Sequence, residues 1–164
     1  MIPLYNTPEE YLKELIDSVR VQTYTNWQLC LADGSDGSET RTFLNKKYRK
    51  ENRITYKKLK ENKGISENTN AAMKLAAGEY ILLCDHDDVL TPDALFHIAK
   101  AITEQKADVI YTDEDKVSMD GKHYFEPNFN RIIICSVFVR IIISAIFLHL
   151  REVFWNGPVR SAGV

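Results

Sequence analysis

The chain has 164 residues, 45% of them hydrophobic and 27% charged, and a formal net charge of −2. This length suits one domain with a substantial core, and the lack of a basic excess argues against nucleic acid as a partner. Neither a charged nor a long apolar leader opens the chain, so we expect a cytoplasmic protein. Three widely spaced cysteines predict reduced thiols: Cys30, Cys84 and Cys135.

The amino-terminal elements predicted from the sequence are a strand and an amphipathic helix. Thr7, followed by Pro8 and Glu10, has the spacing of a capping box, which predicts that the helix begins there. The apolar residues that follow fall on one helical face: Tyr11, Leu12, Leu15, Ile16 and Val19.

Strands and helices then alternate. We predict a strand at 27–32, a polar loop at 33–38, a helix at 39–50 and a strand at 54–59. An alanine-rich helix should begin at Ser66 and end at Gly78, which has the position of a C′ residue.

The next predicted strand, 80–84, is a continuous apolar run, as expected of a strand that is covered on both faces. The segment 91–93 should cap another helix, and 108–111 should form a strand. The Asp120-Gly121 pair predicts a hairpin turn. The order is therefore β-α-β-α-β-α-β-α-β, which predicts an α/β fold with a mostly parallel sheet.

In such sheets, ligands bind beyond the carboxyl ends of the strands. Three polar segments are predicted to meet at that edge, namely Tyr5-Asn6, the loop 33–38 and the acidic run Asp85-His86-Asp87-Asp88. Three carboxylates within four residues repel one another unless a cation is present. Their oxygens suit Mg²⁺ or Mn²⁺ that shares its ligands with a diphosphate, and the alternative is a solvated acidic turn.

The other candidate residues carry weaker signals. Asp33 either forms its own turn or accepts a hydrogen bond from a nucleobase or a ribose. Tyr5 either packs at the sheet edge or stacks on a base. Asn62 and Gly64 precede a helix amino terminus, where free N–H groups could meet phosphate. The sequence contains neither a P-loop nor a GxGxxG motif, which argues against ordinary NTPases and dinucleotide enzymes.

Taken together, these motifs resemble the family 2 glycosyltransferases of the GT-A fold. The resemblance covers about residues 1–130 and rests on segments in one order. They are Pro3-Leu4-Tyr5-Asn6, Trp27 to Ser35, Asn62-Lys63-Gly64-Ile65-Ser66, Asn70-Ala71-Ala72, Gly78-Glu79-Tyr80, Asp85-His86-Asp87-Asp88 and Tyr111 to Lys116.

The resemblance implies a GT-A (Rossmann-like) fold and inverting transfer of a sugar from a nucleotide donor, usually a UDP- or dTDP-sugar. The acceptor would be a glycan or a lipid-linked molecule in polysaccharide biosynthesis. Asp85-His86-Asp87 would be the DxD element, with Asp87 the direct ligand of Mg²⁺ or Mn²⁺ and with Asp85 and Asp88 beside the metal or the sugar. The implied nucleotide-sugar-binding residues are Pro3, Tyr5, Asp33, Asn62, Gly64 and Asp85.

Both ends depart from the family pattern. Only two apolar residues precede Pro3, so we expect a shortened first strand. The segment 131–150 is apolar and long enough to span a membrane, but it contains Arg140. We favour the hypothesis that 131–164 is a hydrophobic tail produced by a one-base deletion near residue 130, because rereading the neighbouring frame can yield a family-like continuation.

On that hypothesis residues 1–130 form a partial, incomplete donor-binding domain, and the catalytic base expected beyond residue 130 is missing. One alternative is a glycosyltransferase at the inner face of the membrane, anchored by 131–150. Another is a non-catalytic Mg²⁺-binding α/β module, for which Lys116 would be the required lysine.

Overall fold

The computed structural model describes residues 1–106, 109–118, 122–129 and 146–149. The predicted alternation of strands and helices is confirmed through the fifth strand. In chain order the elements are β1 (Ile2–Leu4), α1 (Glu9–Arg20), β2 (Leu29–Asp33), α2 (Glu39–Lys47), β3 (Ile54–Lys58), α3 (Ile65–Met73), β4 (Tyr80–Leu82), α4 (Ala94–Gln105), β5 (Val109–Tyr111), β6 (Glu114–Val117), β7 (Tyr124–Asn128) and β8 (Ile146–His149).

Strands β1, β2 and β3 form a parallel sheet in that order. In its register, Leu4 lies beside Asp33, and Asp33 lies beside Lys58. Because parallel strands point the same way, these three residues form one row at the carboxyl edge of the sheet. The register therefore places the three segments that follow these strands next to one another.

A second sheet has the order β4-β8-β5, with β8 antiparallel to both neighbours. Strand β8 comes from the apolar segment 131–150, four residues of which are thus part of the α/β architecture. The rest of that segment, including Arg140 and Cys135, lies outside the described residues. The frameshift and membrane-anchor interpretations of the tail both concern these undescribed residues. Within the described part of the chain, no helix is long and apolar enough to cross a membrane.

The two sheets meet at the amino terminus. The Met1 amino group donates a hydrogen bond of 2.5 Å to the Leu82 carbonyl. Strand β4 ends at Leu82, two residues before the predicted end at Cys84, and its three residues are the ones that pair with β8.

The core lies on both faces of these sheets. Helix α1 buries four of the five residues of its predicted stripe, with Leu15 and Ile16 fully inaccessible, and Tyr11 is half-buried. Ile81 packs with the α3 side of the core, whereas Leu82 packs against Ile98 of α4. Strand β4 is therefore covered on both faces, as the apolar run predicts. Cys30 and Cys84 are buried free thiols, which also agrees with the sequence.

The predicted capping box of α1 is wrong. Pro8, not Thr7, occupies the N-cap position, and its carbonyl accepts the Leu12 amide hydrogen at 3.1 Å. The Thr7 hydroxyl is buried and makes no hydrogen bond with the residues that the structure describes. The register shifts by one residue because the extended ψ of Pro8, 142°, keeps it outside the helix.

Helix α3 ends at Met73, four residues before the predicted end, so Gly78 is not its C′ residue. The Gln28 side chain explains the difference. Its amide group donates to the Leu75 carbonyl at 3.2 Å, and its oxygen accepts the Ala77 amide hydrogen at 3.0 Å. In a longer helix these backbone groups would bond to other backbone groups of the helix. Here they bond to the side chain of Gln28, the residue before β2.

The predicted hairpin is confirmed as the antiparallel pair of β6 and β7. The residues of its predicted turn, 119–121, lie outside the described part of the chain. The apolar side chains of this hairpin are exposed, and they include Tyr124 at 70%.

Candidate functional site

The carboxyl edge of the parallel sheet brings together the segments that follow β1, β2 and β3. Tyr5 follows β1 with 47% of its surface exposed. The next residue, Asn6, has a left-handed backbone (φ 50°), and its amide donates to the Ser35 hydroxyl at 2.8 Å. Pro3 lies in β1 beside Ala32 and is partly exposed. The structure therefore places Pro3, Tyr5 and Asp33 within one small region, as the sequence predicts.

The Asp33 carboxylate is inaccessible to solvent and is held from three directions. Its Oδ1 accepts the Ser35 amide hydrogen at 2.9 Å, which closes an Asx turn. Its Oδ2 accepts the Tyr56 hydroxyl at 2.7 Å and lies 3.3 Å from the Lys58 ammonium. The turn-forming role of Asp33 is thus present in the structure, and the contact with a nucleobase or a ribose stays a prediction.

These partners determine the charge of Asp33. Burial alone would raise the pKa of this carboxyl, but hydrogen bonds from Ser35, Tyr56 and Lys58 hold it below its usual value. The same contact acts in reverse on Tyr56, whose pKa is raised by burial and by the neighbouring carboxylate. Asp33 is therefore ionised and Tyr56 is protonated at neutral pH.

The β2 edge also contacts the loop before α3. Gly34 is buried, and a β-carbon there would lie 2.8 Å from the Asn68 amide nitrogen and 3.3 Å from the Asn62 α-carbon. The Asn62 side-chain oxygen accepts hydrogen bonds from the Gly64 amide at 3.0 Å and from the Asn68 amide group at 2.9 Å. Because the Gly64 N–H can only donate, it fixes the orientation of both side-chain amides.

In that orientation the side-chain oxygen of Asn68 is an acceptor that points away from Asn62. Asn68 is 3% exposed, and its Oδ1 accepts no hydrogen bond from the residues that the structure describes. Asn62 and Gly64, by contrast, are exposed, and Gly64 occupies the N-cap position of α3 with a φ of 86°. Among the described residues no side chain caps this helix, so its first N–H groups have no capping partner there and lie next to two predicted site residues.

Substituting Gly34 tests this close approach. Gly34→Ala should lower the free energy of unfolding by about 1–3 kcal/mol, because a methyl group there would lie 2.8 Å from the buried Asn68 amide nitrogen and 3.3 Å from the Asn62 backbone. Urea denaturation of both proteins measures the change. Gly78→Ala is the comparison variant: its new β-carbon would meet one backbone oxygen at 3.3 Å and no atom as near as 2.8 Å, so its loss of stability should be smaller. Equal stabilities of Gly34→Ala and the parent would show that the two loops do not pack in this way.

The acidic run follows β4 after two residues. Asp87 is exposed, whereas Asp85 and Asp88 are partly buried. Burial and the charge of Asp87 raise the pKa of Asp85. Burial and the charge of Asp85 raise the pKa of Asp88, to which Glu114 of β6 also contributes. Folding thus holds these carboxylates together against their own repulsion.

The donor atoms of this run fit a hard divalent cation. Asp88 Oδ2 is buried and makes no hydrogen bond within the described residues, so a lone pair is left for a ligand. Across those same residues, no three His, Cys, Asp or Glu side chains converge in the manner of a complete protein metal cage. Mg²⁺ ordinarily takes one or two carboxylates and completes its shell with waters and phosphate oxygens. One or two of the carboxylates of Asp85, Asp87 and Asp88 would supply such an incomplete set.

One other sequence expectation has a structural outcome. Lys116, the lysine required by the Mg²⁺-module alternative, pairs with Glu126 on the exposed β6–β7 hairpin.

Three partners in the site were not predicted, namely Tyr56, Lys58 and Asn68. Tyr56 and Lys58 are two residues apart and so share one face of β3, and this alternation was the available signal.

Comparisons with known proteins give a consistent result. The profile of Glycosyl transferase family 2 matches residues 1–163. The protein y4gI of Sinorhizobium fredii, described as uncharacterized, is 40% identical over 136 residues, which are 80% of this chain and 15% of that protein. A chondroitin synthase of Pasteurella multocida is 33% identical over 135 residues, which are 79% of this chain and 14% of that protein.

Solved structures show the same fold. S. aureus TarS 1–349 in complex with UDP-GlcNAc matches with a TM-score of 0.68 at 24% identity, over 88% of this chain and 43% of that one. The mannosyltransferase PcManGT from Pyrobaculum calidifontis, in complex with GDP-Man and Mn²⁺, matches with a TM-score of 0.60 at 19% identity, over 67% of this chain and 33% of that one. The expected GT-A architecture is thereby confirmed. This chain spans 15% or less of the two sequence relatives.

Proposed function

Since this chain belongs to glycosyltransferase family 2, we propose that it forms the donor-binding part of an enzyme that transfers a sugar from a nucleotide diphosphate. The donor is a UDP- or dTDP-sugar, and transfer inverts the anomeric carbon. The acceptor is a glycan or a lipid-linked molecule in polysaccharide biosynthesis on the cytoplasmic side. The complexes of two structural neighbours with UDP-GlcNAc and with GDP-Man and Mn²⁺ support a nucleotide-sugar donor.

The observation that carries this proposal is the acidic run after β4. Burial and the charge of Asp87 raise the pKa of Asp85, burial and the charge of Asp85 raise the pKa of Asp88, and Asp88 has a buried oxygen without a described partner. A cation would offset the repulsion between these carboxylates and accept their free lone pairs. Tyr5, Asn62 and Gly64 are exposed along the same edge and are available to a nucleoside and its phosphates.

In the mechanism, each group has a separate task. Mg²⁺ or Mn²⁺, when bound, neutralises negative charge that develops on the leaving diphosphate. Asp87, with Asp85 and Asp88, would hold that ion. The exposed Tyr5 ring offers a face to the base, and the first N–H groups of α3 beside Gly64 can donate to phosphate oxygens. The base that deprotonates the acceptor hydroxyl belongs beyond residue 130, outside the described core.

Calorimetry tests the proposal directly. The chain should bind UDP in the presence of Mn²⁺ and should lose most of that affinity when the metal is chelated. ADP serves as the comparison nucleotide, because it carries the same diphosphate on a different base. Binding of Mn²⁺ without any effect on UDP would instead favour the Mg²⁺-module alternative.

Tyr5→Ala tests the nucleoside part of the site. Loss of base stacking on the exposed ring should weaken UDP binding by about tenfold in titration calorimetry, since stacking is worth about 1–3 kcal/mol per base. Tyr124→Ala is the matched control, because Tyr124 is an exposed tyrosine on the β6–β7 hairpin. If both variants bind UDP equally well, Tyr5 does not contact the base.

A further inference from the structure

Lys58, at the end of β3, contacts the β2 edge twice. Its ammonium lies 3.3 Å from Asp33 Oδ2 and also donates to the Ser35 carbonyl. Its side chain is only 22% exposed, and the Asp33 side chain is fully buried. Lys58 therefore fixes both ends of the tight turn from Asp33 to Ser35.

This turn holds Asn6, the residue after Tyr5. The Ser35 hydroxyl accepts the Asn6 amide hydrogen at 2.8 Å, and Asn6 has a φ of 50°. Asparagine adopts this left-handed backbone more readily than most non-glycine residues, and the hydrogen bond to Ser35 ties that conformation to the turn. A continuous set of polar contacts thus runs from Lys58 through Asp33 and Ser35 to Asn6, and it ends beside the exposed Tyr5 ring.

We propose that Lys58 is a positioning residue for the nucleoside half of the donor site, because it fixes the Asp33–Ser35 turn that orients Asn6 and Tyr5. The inference rests on the proposed function for its ligand, but its structural step does not. Asp33 and Ser35 take two of the three donors of the Lys58 ammonium, so we place its effect in the turn and not in a direct contact with the donor. It should therefore affect recognition of the base and leave the metal-bound diphosphate unchanged.

The experiment compares Lys58→Met with the parent and with two further variants of the full chain. Lys58→Arg keeps the cation and should retain most of the parent behaviour. Lys57→Met is the matched control, because Lys57 is the preceding residue on β3 and its side chain is exposed. Thermal unfolding of each variant shows whether it is folded at the temperature of the binding measurements.

Two measurements are made on each variant. Calorimetry in Mn²⁺ gives the affinities for UDP and for inorganic pyrophosphate, which carries the diphosphate without a nucleoside. We expect Lys58→Met to weaken UDP binding by about tenfold, in line with the loss of one charged hydrogen bond, and to leave pyrophosphate binding unchanged. Amide hydrogen exchange in the absence of ligand should become faster at Asn6 in Lys58→Met and stay unchanged in Lys57→Met.

Other results would overturn the inference. Unchanged UDP affinity in Lys58→Met, or an equal loss for UDP and pyrophosphate, contradicts a role confined to the nucleoside. Unchanged exchange at Asn6 contradicts the positioning contact itself. If the parent chain binds neither UDP nor pyrophosphate, it is the proposed function that fails, and exchange at Asn6 then decides the positioning step by itself.

Discussion

Asp87→Asn is expected to weaken Mn²⁺-dependent UDP binding by about 100-fold, the largest change in ligand affinity that we predict. A carboxylate that binds the metal directly contributes several kcal/mol to holding the diphosphate, and an amide oxygen is a much poorer ligand. Asp87 is the exposed member of the run, so the substitution leaves no buried group without a partner. Calorimetry with UDP, with and without Mn²⁺, gives the loss.

The stability of the same variant separates a metal ligand from a structural residue. The charge of Asp87 raises the pKa of both Asp85 and Asp88, so its removal relieves repulsion in the metal-free protein. We therefore expect the melting temperature without metal to stay the same or to rise. Asp93→Asn is the control for UDP binding only, because Asp93 is exposed but pairs with His97 at the start of α4. A variant that binds UDP with undiminished Mn²⁺ dependence would show that the metal does not use Asp87.

Asp33→Asn is expected to lower the free energy of unfolding at pH 7 by about 3 kcal/mol, the largest predicted change in stability. The substitution leaves the partly buried Lys58 ammonium without its counter-charge, which is the costly way to break a buried ion pair. The estimate lies at the low end for such pairs because 22% of the Lys58 side chain meets solvent. Urea denaturation measures the change, with Asp36→Asn as the exposed control.

The effect should also depend on pH in one direction. The folded-state pKa of Asp33 is held below its unfolded value of about 3.8. Unfolding therefore takes up a proton in the interval between these two values, and the stabilisation by Asp33 is complete above pH 3.8 and is lost as the pH falls through the folded pKa. The gap between parent and Asp33→Asn should be constant from pH 7 to 5 and should narrow in stronger acid. A gap that widens in acid would mean that Asp33 is protonated in the folded protein.

Much of the fold could be predicted because local patterns and tertiary packing agree. The α1 stripe, the apolar β4 run and the order of the first nine elements all follow from periodicity. One error, the predicted end of α3, lies where a side chain distant in sequence decides the outcome. Gln28 bonds to the backbone after α3, so that helix ends before Gly78, which the local sequence could not indicate.

The candidate site was predictable in its location and less so in its contacts. The acidic run and the loop after β2 follow directly from strand ends, which the alternating pattern identifies. That Asp33 would be enclosed by Tyr56 and Lys58 depends on the register of β2 and β3, and a single sequence does not contain that register. The orientation of the Asn68 acceptor likewise depends on tertiary contacts, because the Gly64 amide fixes the orientation of Asn62 and Asn62 fixes that of Asn68.

The proline in β1 limits the hydrogen bonds that this strand can make. Pro3 has no N–H, so it donates no backbone hydrogen bond to a neighbouring strand. The Met1 amino group donates to the Leu82 carbonyl, and this bond links the start of β1 to the end of β4. A residue with an N–H at position 3 would add one backbone donor two residues before Tyr5.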